Sequence, residues 1–150
     1  MPKKTKKPKA KRRHELDGPI VLSINICDQF IRDERTKKTS LIGLFNTINA
    51  HSLPCVHNEM SIYVALTNGH GRQNVEVRIV HLAEQETILA LGGPVEFKEP
   101  LQVLELNLVC KSITFAAYGV YAVEVYCGDM DVAKITRKFL VNHIKENSQE

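Results

Sequence analysis

Hydrophobic and polar residues alternate most regularly between residues 117 and 127. One face of this stretch carries Ala117, Gly119, Tyr121, Val123, Val125 and Cys127. A side-chain period of two with one apolar face is typical of a β-strand that is half buried in a sheet. We therefore predict that this stretch is the central strand of an all-β core.

Shorter runs with the same period surround it. They predict further strands over residues 20–27, 40–49, 59–68, 74–80, 87–91, 101–110 and 132–141. In the first strand we expect a single buried face, formed by Ile20, Leu22, Ile24 and Ile26. In the strand over 101–110 we expect Leu104, Leu106, Leu108 and Cys110 to point to one side.

The polar and glycine-rich stretches between the runs predict turns. Residues 32–38 would join the first two strands in a hairpin, with a short helix over 28–35 as the alternative. The segment Asn68-Gly-His-Gly71 would join a second hairpin, between the strands over 59–68 and 74–80. Pro54 and the segment Gly92-Gly-Pro94 are expected to end the strands that precede them.

About seven or eight short strands with turns between them, and no convincing helix, predict an antiparallel β-sandwich or small barrel. Tyr121 favours the sandwich, because a tyrosine near the start of a late strand can form the tyrosine corner of Greek-key sandwiches. Gly119 would let the backbone bend there. The alternative is that Tyr121 is an ordinary core residue.

The net charge of +3 conceals two unlike parts of the chain. Residues 1–13 contain no acid and eight basic side chains: Lys3, Lys4, Lys6, Lys7, Lys9, Lys11, Arg12 and Arg13. The other 137 residues carry 12 basic and 17 acidic side chains, a net charge of −5. We predict a disordered Lys/Arg-rich arm over 1–18, a β-sandwich domain over 19–142 and a polar C-terminal tail over 143–150.

The sequence contains no secretory signal pattern, since the positive start is not followed by an apolar run. It also lacks an apolar run of about 20 residues that could span a bilayer. We therefore predict a cytoplasmic protein whose four cysteines, Cys27, Cys55, Cys110 and Cys127, are thiols. They form no C-x-x-C pair.

Four segments together resemble a known family. They are Ile26-Cys-Asp28; Lys38-Thr-Ser-Leu-Ile-Gly-Leu-Phe-Asn46 with Pro54 after it; Ile62-Tyr-Val-Ala-Leu-Thr67 with Gly71; and Tyr118-Gly-Val-Tyr121. They are similar to an uncharacterised bacterial family of small immunoglobulin-like β-sandwich proteins, a domain of unknown function. The match covers about residues 18–142 and leaves out the basic arm. No activity or catalytic residue is assigned to that family, so the resemblance implies a fold and a bacterial cytoplasmic setting.

Metal-ligand residue types cluster in His51-Ser-Leu-Pro-Cys55-Val-His57. Imidazole and thiolate suit zinc, but the spacing is not that of a structural zinc site, and the alternative is a surface loop. His70 could act as an exposed base. The alternative is an ordinary turn residue, because the segment Asn68-Gly-His-Gly71 has a composition typical of turns. Beside Asp28, the thiol of Cys27 should have a raised pKa, which argues against a nucleophile. No cofactor or metal is predicted.

Three functions therefore remain open. The first is a non-enzymatic binding or scaffold module that joins a protein partner, or a second copy, through an edge strand, with the arm adding polyanion affinity. The strand over 132–141, with Lys134, Arg137 and Lys138, carries charges typical of an edge. The second is a nucleic-acid-associated protein that acts mainly through the eight basic residues. The third is a small metal-dependent hydrolase that uses His51, Cys55 and His57. The arm could also be a solubilising segment, or one that binds an acidic protein or anionic lipid.

Overall fold

The structure, a computed structural model, describes residues 18–128, 133 and 135–146. These residues form nine strands and no helix. The strands are β1 (Ile20–Arg32), β2 (Thr39–Leu44), β3 (Thr47–Ala50), β4 (Cys55–Thr67), β5 (Gly71–His81), β6 (Glu86–Phe97), β7 (Leu104–Phe115), β8 (Gly119–Cys127) and β9 (Ile135–His143).

The strands form two sheets. The first has the order β2-β1-β4-β7, and the second has the order β3-β9-β8-β5-β6. The predicted central strand, β8, is the middle strand of the second sheet, as the alternation over residues 117–127 indicated. The all-β prediction is confirmed. The core between the sheets includes the fully buried side chains of Ile26, Met60, Ile62, Val64, Leu66, Phe115, Tyr121, Val123, Val125 and Val141.

Tyr121 forms the predicted corner hydrogen bond. Its hydroxyl donates to the backbone oxygen of Ala117 at 2.7 Å. Gly119 lies between them with a φ of +119°, a conformation that L side chains rarely adopt. The Tyr121 ring meets Phe115 edge-on at 5.1 Å and stacks near Phe139 at 5.6 Å. The backbone bend at Gly119 and the packing of the Tyr121 ring together place the start of β8 in the core.

The predicted buried face of β1 is wrong at its first two positions. Ile20 and Leu22 are exposed, whereas Ile24 and Ile26 are buried. The pairing of β1 with β4 shifts register between residues 21 and 23, so a β-bulge interrupts the alternation there. Val21 packs against the core instead.

The first predicted hairpin is confirmed, because β1 pairs with β2 antiparallel. The alternative helix over 28–35 is wrong, since β1 continues to Arg32. The turn that follows is held by Asp33, whose carboxylate accepts hydrogen bonds from the backbone N–H groups of Arg35 at 2.9 Å and Thr36 at 2.7 Å. The predicted strand over 40–49 divides in two, and its second part, β3, crosses to the other sheet.

The second predicted hairpin is wrong. β4 lies in the first sheet and β5 in the second, so the turn at residues 68–71 carries the chain between sheets. The backbone N–H of Asn68 donates to the oxygen of Pro100 at 2.9 Å, which joins this turn to the one after β6. Turn chemistry alone does not distinguish a hairpin from such a crossing, because both need the same backbone conformations.

The structure also differs from two expectations, one about where β6 ends and one about β9 as an edge strand. β6 does not end at the segment 92–94 but continues through it to Phe97. Pro94 has no backbone N–H to donate. This is tolerated because β6 is the last strand of its sheet and has no further strand to pair with on its outer side. β9 is not an edge along its whole length, because β3 pairs with it in parallel over residues 140–143. Arg137 and Lys138 precede that pairing, and Lys134 lies outside the described residues.

Candidate functional site: an open seam between the sheets

Along one side of the sandwich no backbone pairing among the described residues joins the two sheets. β6 ends the second sheet and β7 ends the first, and cavities lined by both strands lie between them. Within residues 18–128, 133 and 135–146, no strand pairs with the outer side of either one. The backbone N–H and C=O groups of an edge strand can pair with another chain.

We call the opening between β6 and β7 the seam. It consists of two adjoining cavities of about 450 Å³ and 360 Å³ that share the lining residues Leu91 and Val109. The first is lined mainly by apolar residues, among them Val77, Leu91, Val95, Leu106, Leu108 and Val109. The second adds the apolar residues Ile88, Leu89, Cys110 and Ile113 and the polar residues Lys111, Ser112 and Thr114. The seam is therefore a mainly apolar groove with polar residues at one end.

The seam opens onto the margin of the core. Ile62 and Val64, in the middle of the first sheet, are fully buried. Leu108 pairs with Ile62, and Leu106 pairs with Val64. Both leucines are only half buried, and so is Leu91 on β6. These leucines therefore retain apolar surface that a further chain could cover.

Gly92 lets the β6 wall lie close to β5. A Cβ atom at this position would come within 2.6 Å of the backbone oxygen of Val75. Any other residue would push β6 away from β5 and change the width of the seam. The sequence Gly-Gly-Pro, which looks like a strand terminator, is therefore part of the groove wall.

The outward-facing side chains of β7 add charge to this edge. Glu105 lies on the outer face near the start of β7 and Lys111 on the same face in its second half, and Val109 between them is 46% exposed. The thiol of Cys110 points inward, and burial raises its pKa, so it remains a neutral part of the wall. Ser112 has a φ of +53°, which ends the regular part of the strand.

A third cavity lies on the outer face of the first sheet, where the far half of the β1–β2 hairpin folds across β4. Thr39 donates a hydrogen bond to Glu105 at 3.1 Å, although β1 and β4 lie between their strands. Phe30 stacks on Tyr63 with ring centroids 6.2 Å apart. The cavity of about 440 Å³ is also lined by Lys37 and Lys38.

In this cavity the Tyr63 hydroxyl donates to Glu105 at 2.5 Å. Burial, the hydrogen bond and the nearby carboxylate together raise the pKa of Tyr63 to about 12. Glu105 thus accepts from two hydroxyl groups of its own chain. No pattern in the sequence indicates this pair, because it depends on the register between β4 and β7.

A fourth cavity, of about 670 Å³, lies on the outer face of the second sheet. The Arg78 guanidinium lies 4.2 Å from the ring centre of Tyr126, and its Nε is 2.7 Å from a carboxylate oxygen of Glu76. Its positive charge is therefore already paired. Tyr126 in turn donates to Glu124 at 2.5 Å.

The residues of the hydrolase hypothesis do not converge. His51 is exposed, and its backbone oxygen lies 3.1 Å from the Nε2 atom of His143. Cys55 and His57 are half buried at the start of β4, and the His57 ring lies against Phe45 at 5.6 Å. Within the part of the chain that the structure describes, no three His, Cys, Asp or Glu side chains are grouped to hold a metal ion. None of the four cavities above is lined by these residues.

The other residues singled out in the sequence have structural surroundings. His70 is exposed in the turn after β4, at the opposite end of that strand from Cys55. His81, at the end of β5, is buried at the margin of the core, and its Nε2 atom lies 3.1 Å from the oxygen of Tyr118. Burial, and after it the charge of Asp28, raises the pKa of the Cys27 thiol, which confirms the direction inferred from the sequence.

The predicted polyanion-binding residues all precede residue 18. They are Lys3, Lys4, Lys6, Lys7, Lys9, Lys11, Arg12 and Arg13, and they lie outside the described residues. The four cysteines are present as thiols rather than as disulfides.

Fold and seam together define the class: an all-β domain of two packed sheets, open along one side. The chain belongs to a family of unknown function, DUF6941, whose model matches residues 22–138. No curated protein matches the chain in sequence. Among the residues that the structure covers, no helix is long and apolar enough to cross a membrane.

Proposed function

We propose that this domain is a non-enzymatic binding module that takes up an extended segment of a protein along β7, in the seam. The observation that carries the proposal is the seam itself: an apolar groove bordered by two strands that end their sheets. Strand addition of this kind obtains affinity from backbone hydrogen bonds and specificity from pockets for alternate side chains.

The shape of the groove favours a particular segment. A chain paired with β7 would turn every second side chain toward the seam, where Leu91, Leu106 and Leu108 are half buried. Apolar residues at those positions would cover these leucines. The remaining side chains would lie beside Val109 and Lys111 on the outer face. A segment with alternating apolar and polar residues therefore fits this surface.

The immunoglobulin-like name and a bacterial cytoplasmic setting belong to the same proposal. The sheet orders support the name, since β5, β8 and β9 are neighbours as in the three-stranded sheet of immunoglobulin domains, and β8 carries a tyrosine corner. The thiol state of the cysteines fits a reducing compartment.

Backbone N-methylation tests the mode of binding. The probe is a fluorescent peptide of alternating valine and threonine between terminal lysines, titrated against the full chain by anisotropy. N-methyl groups on one set of alternate residues should abolish binding, because those N–H groups face β7. N-methyl groups on the other set should leave affinity unchanged. Equal effects of the two sets would contradict strand addition.

Two valines of similar exposure provide the matched variants. Val109 on β7 is 46% exposed and Val120 on β8 is 41% exposed. Val109→Lys should weaken peptide binding at least tenfold, because it places a charge beside the groove. Val120→Lys should not. If both variants bind the peptide like the unaltered chain, the seam is not the binding site.

A second function rests on the sequence of the arm. Eight basic side chains without an acid in residues 1–13 favour association with polyanions. With no aromatic residue among them to stack on bases, such binding would be independent of nucleotide sequence. This role would accompany that of the seam.

A further inference from the structure

We propose that the chain taken up at the seam is β7 of a second copy, paired antiparallel about a two-fold axis at Leu108. This inference rests on the proposed function and names its partner. Two copies related in this way would join their first sheets into one continuous sheet across the axis.

The order of charges along β7 favours this register. With Leu108 opposite itself, Glu105 of each copy lies opposite Lys111 of the other. Both side chains lie on the outer face, so two cross-strand pairs of opposite charge form in each dimer. Moving the axis by one residue places Glu105 opposite Val109 or Ile113 instead. Centring on Leu108 therefore matches the charges where these neighbouring registers do not.

Glu105 can accept this additional partner without losing its own. Its two carboxylate oxygens accept one hydrogen bond each, from Tyr63 and from Thr39. A carboxylate has about four acceptor positions, so a lysine ammonium can also bind. The two internal hydrogen bonds hold the carboxylate on the outer face of β7, which lowers the entropy lost when the pair forms.

The apolar side of the strand is equally self-complementary. In this register Leu106 lies opposite Cys110 of the second copy, and both point inward. The two seams then face each other across the axis, so each covers the half-buried leucines of the other. The regular pairing extends from residue 105 to residue 111, roughly 20 Å of strand, and stops before the left-handed backbone of Ser112.

Charge reversal provides the test, with the full chain in analytical ultracentrifugation. Lys111→Glu creates two pairs of like charge in the dimer, and so does Glu105→Lys. Each variant alone should dimerise at least tenfold more weakly, about 1.4 kcal/mol. An equimolar mixture of the two should regain dimers, because both pairs then have opposite charges. Lys138→Glu, which changes the exposed face of β9, should dimerise like the unaltered chain.

A disulfide cross-link tests the register without changing Glu105. This matters because replacing Glu105 also removes its hydrogen bonds with Tyr63 and Thr39. Leu108→Cys places thiols opposite each other at the axis, and mild oxidation should give a disulfide-linked dimer on a non-reducing gel. Leu104→Cys lies opposite Ser112 and should not form that dimer. Absence of the trapped dimer, or dimerisation that neither charge reversal weakens, would overturn the proposed register.

A further outcome separates this inference from the function on which it rests. If the chain stays monomeric at its highest soluble concentration but binds the valine–threonine peptide, the second copy is excluded and strand addition stands. If it is monomeric and binds no peptide, both proposals fail.

Discussion

The hydroxyl of Tyr63 on β4 donates a 2.5 Å hydrogen bond to the carboxylate of Glu105 on β7. Burial, and after it this hydrogen bond, raises the pKa of Tyr63 to about 12, whereas an unfolded tyrosine titrates near 10. The fold therefore favours the protonated hydroxyl. This contribution to stability is complete below pH of about 10 and is lost as the pH rises toward 12.

An ultraviolet titration of the phenolate band, compared with Tyr63→Phe, isolates this group. We expect a midpoint near pH 12 in the unaltered chain. In Glu105→Gln the midpoint should fall but stay above the ordinary value, because burial is the largest cause of the shift. A midpoint near pH 10 in the unaltered chain would mean that the pair does not form in solution.

Tyr121→Phe should destabilise the domain by about 1 kcal/mol, the usual contribution of a hydrogen bond. The change removes the bond to Ala117 and keeps the buried ring. Urea unfolding, followed by circular dichroism, measures the loss. Tyr126→Phe is the matched control, since its hydroxyl bonds a carboxylate on the outer face and should matter less. Equal losses in both variants would contradict a special role for the corner.

Gly119→Ala should cost roughly 1–3 kcal/mol, because an L residue is strained at a φ of +119°. The new methyl group would also lie 3.3 Å from the Nε2 atom of His81. Gly93→Ala is the control, since its Cβ would meet no atom within 4 Å. Thermal unfolding should separate the two variants clearly, and a Gly119→Ala chain as stable as Gly93→Ala would be inconsistent with this backbone.

Cys55 should react with iodoacetamide before Cys27 and Cys110. It is half buried, whereas Cys27 and Cys110 are buried and burial raises their pKa values. A raised thiol pKa leaves less thiolate to react at neutral pH. Peptide mass spectrometry at increasing times gives the order. Early labelling of Cys27 in the folded chain would contradict the placement of β1.

Polyanion binding should depend steeply on salt. If all eight basic residues of the arm contact duplex DNA, the logarithm of affinity should fall with the logarithm of salt concentration with a slope of about −7. A chain that begins at Gly18 should lose this binding. Anisotropy with a labelled duplex of arbitrary sequence measures both. Equal binding by the shortened chain would assign the affinity to the sandwich instead.

The features that sequence predicted correctly are local ones. The alternation that defines β8, and the Tyr121 hydrogen bond to a residue four positions earlier, lie within a single stretch of chain. β1 and β2 are likewise adjacent in sequence and joined by a polar turn held by Asp33.

The features that sequence missed depend on how distant segments meet. The composition of residues 68–71 predicts a turn. Whether the next strand pairs with β4 or crosses to the other sheet depends on the packing of the whole core. Leu106 and Leu108 were assigned to the inward face of their strand, yet nothing in the sequence placed them opposite Leu91 across an open seam. The bulge that exposes Leu22 comes from pairing with β4 and has no signature within β1.

The parallel pair of β3 and β9 has a consequence for how the chain is made. Thr47–Ala50 pairs with Leu140–His143, so β3 can form its pairing only with a strand that is synthesised much later. During synthesis β3 leaves the ribosome without its neighbour, and the second sheet cannot be completed until β9 has followed. Long-range pairings of this kind slow folding, because a large loop must close before any contact forms. The nascent protein should therefore complete its second sheet only after β9 has left the ribosome.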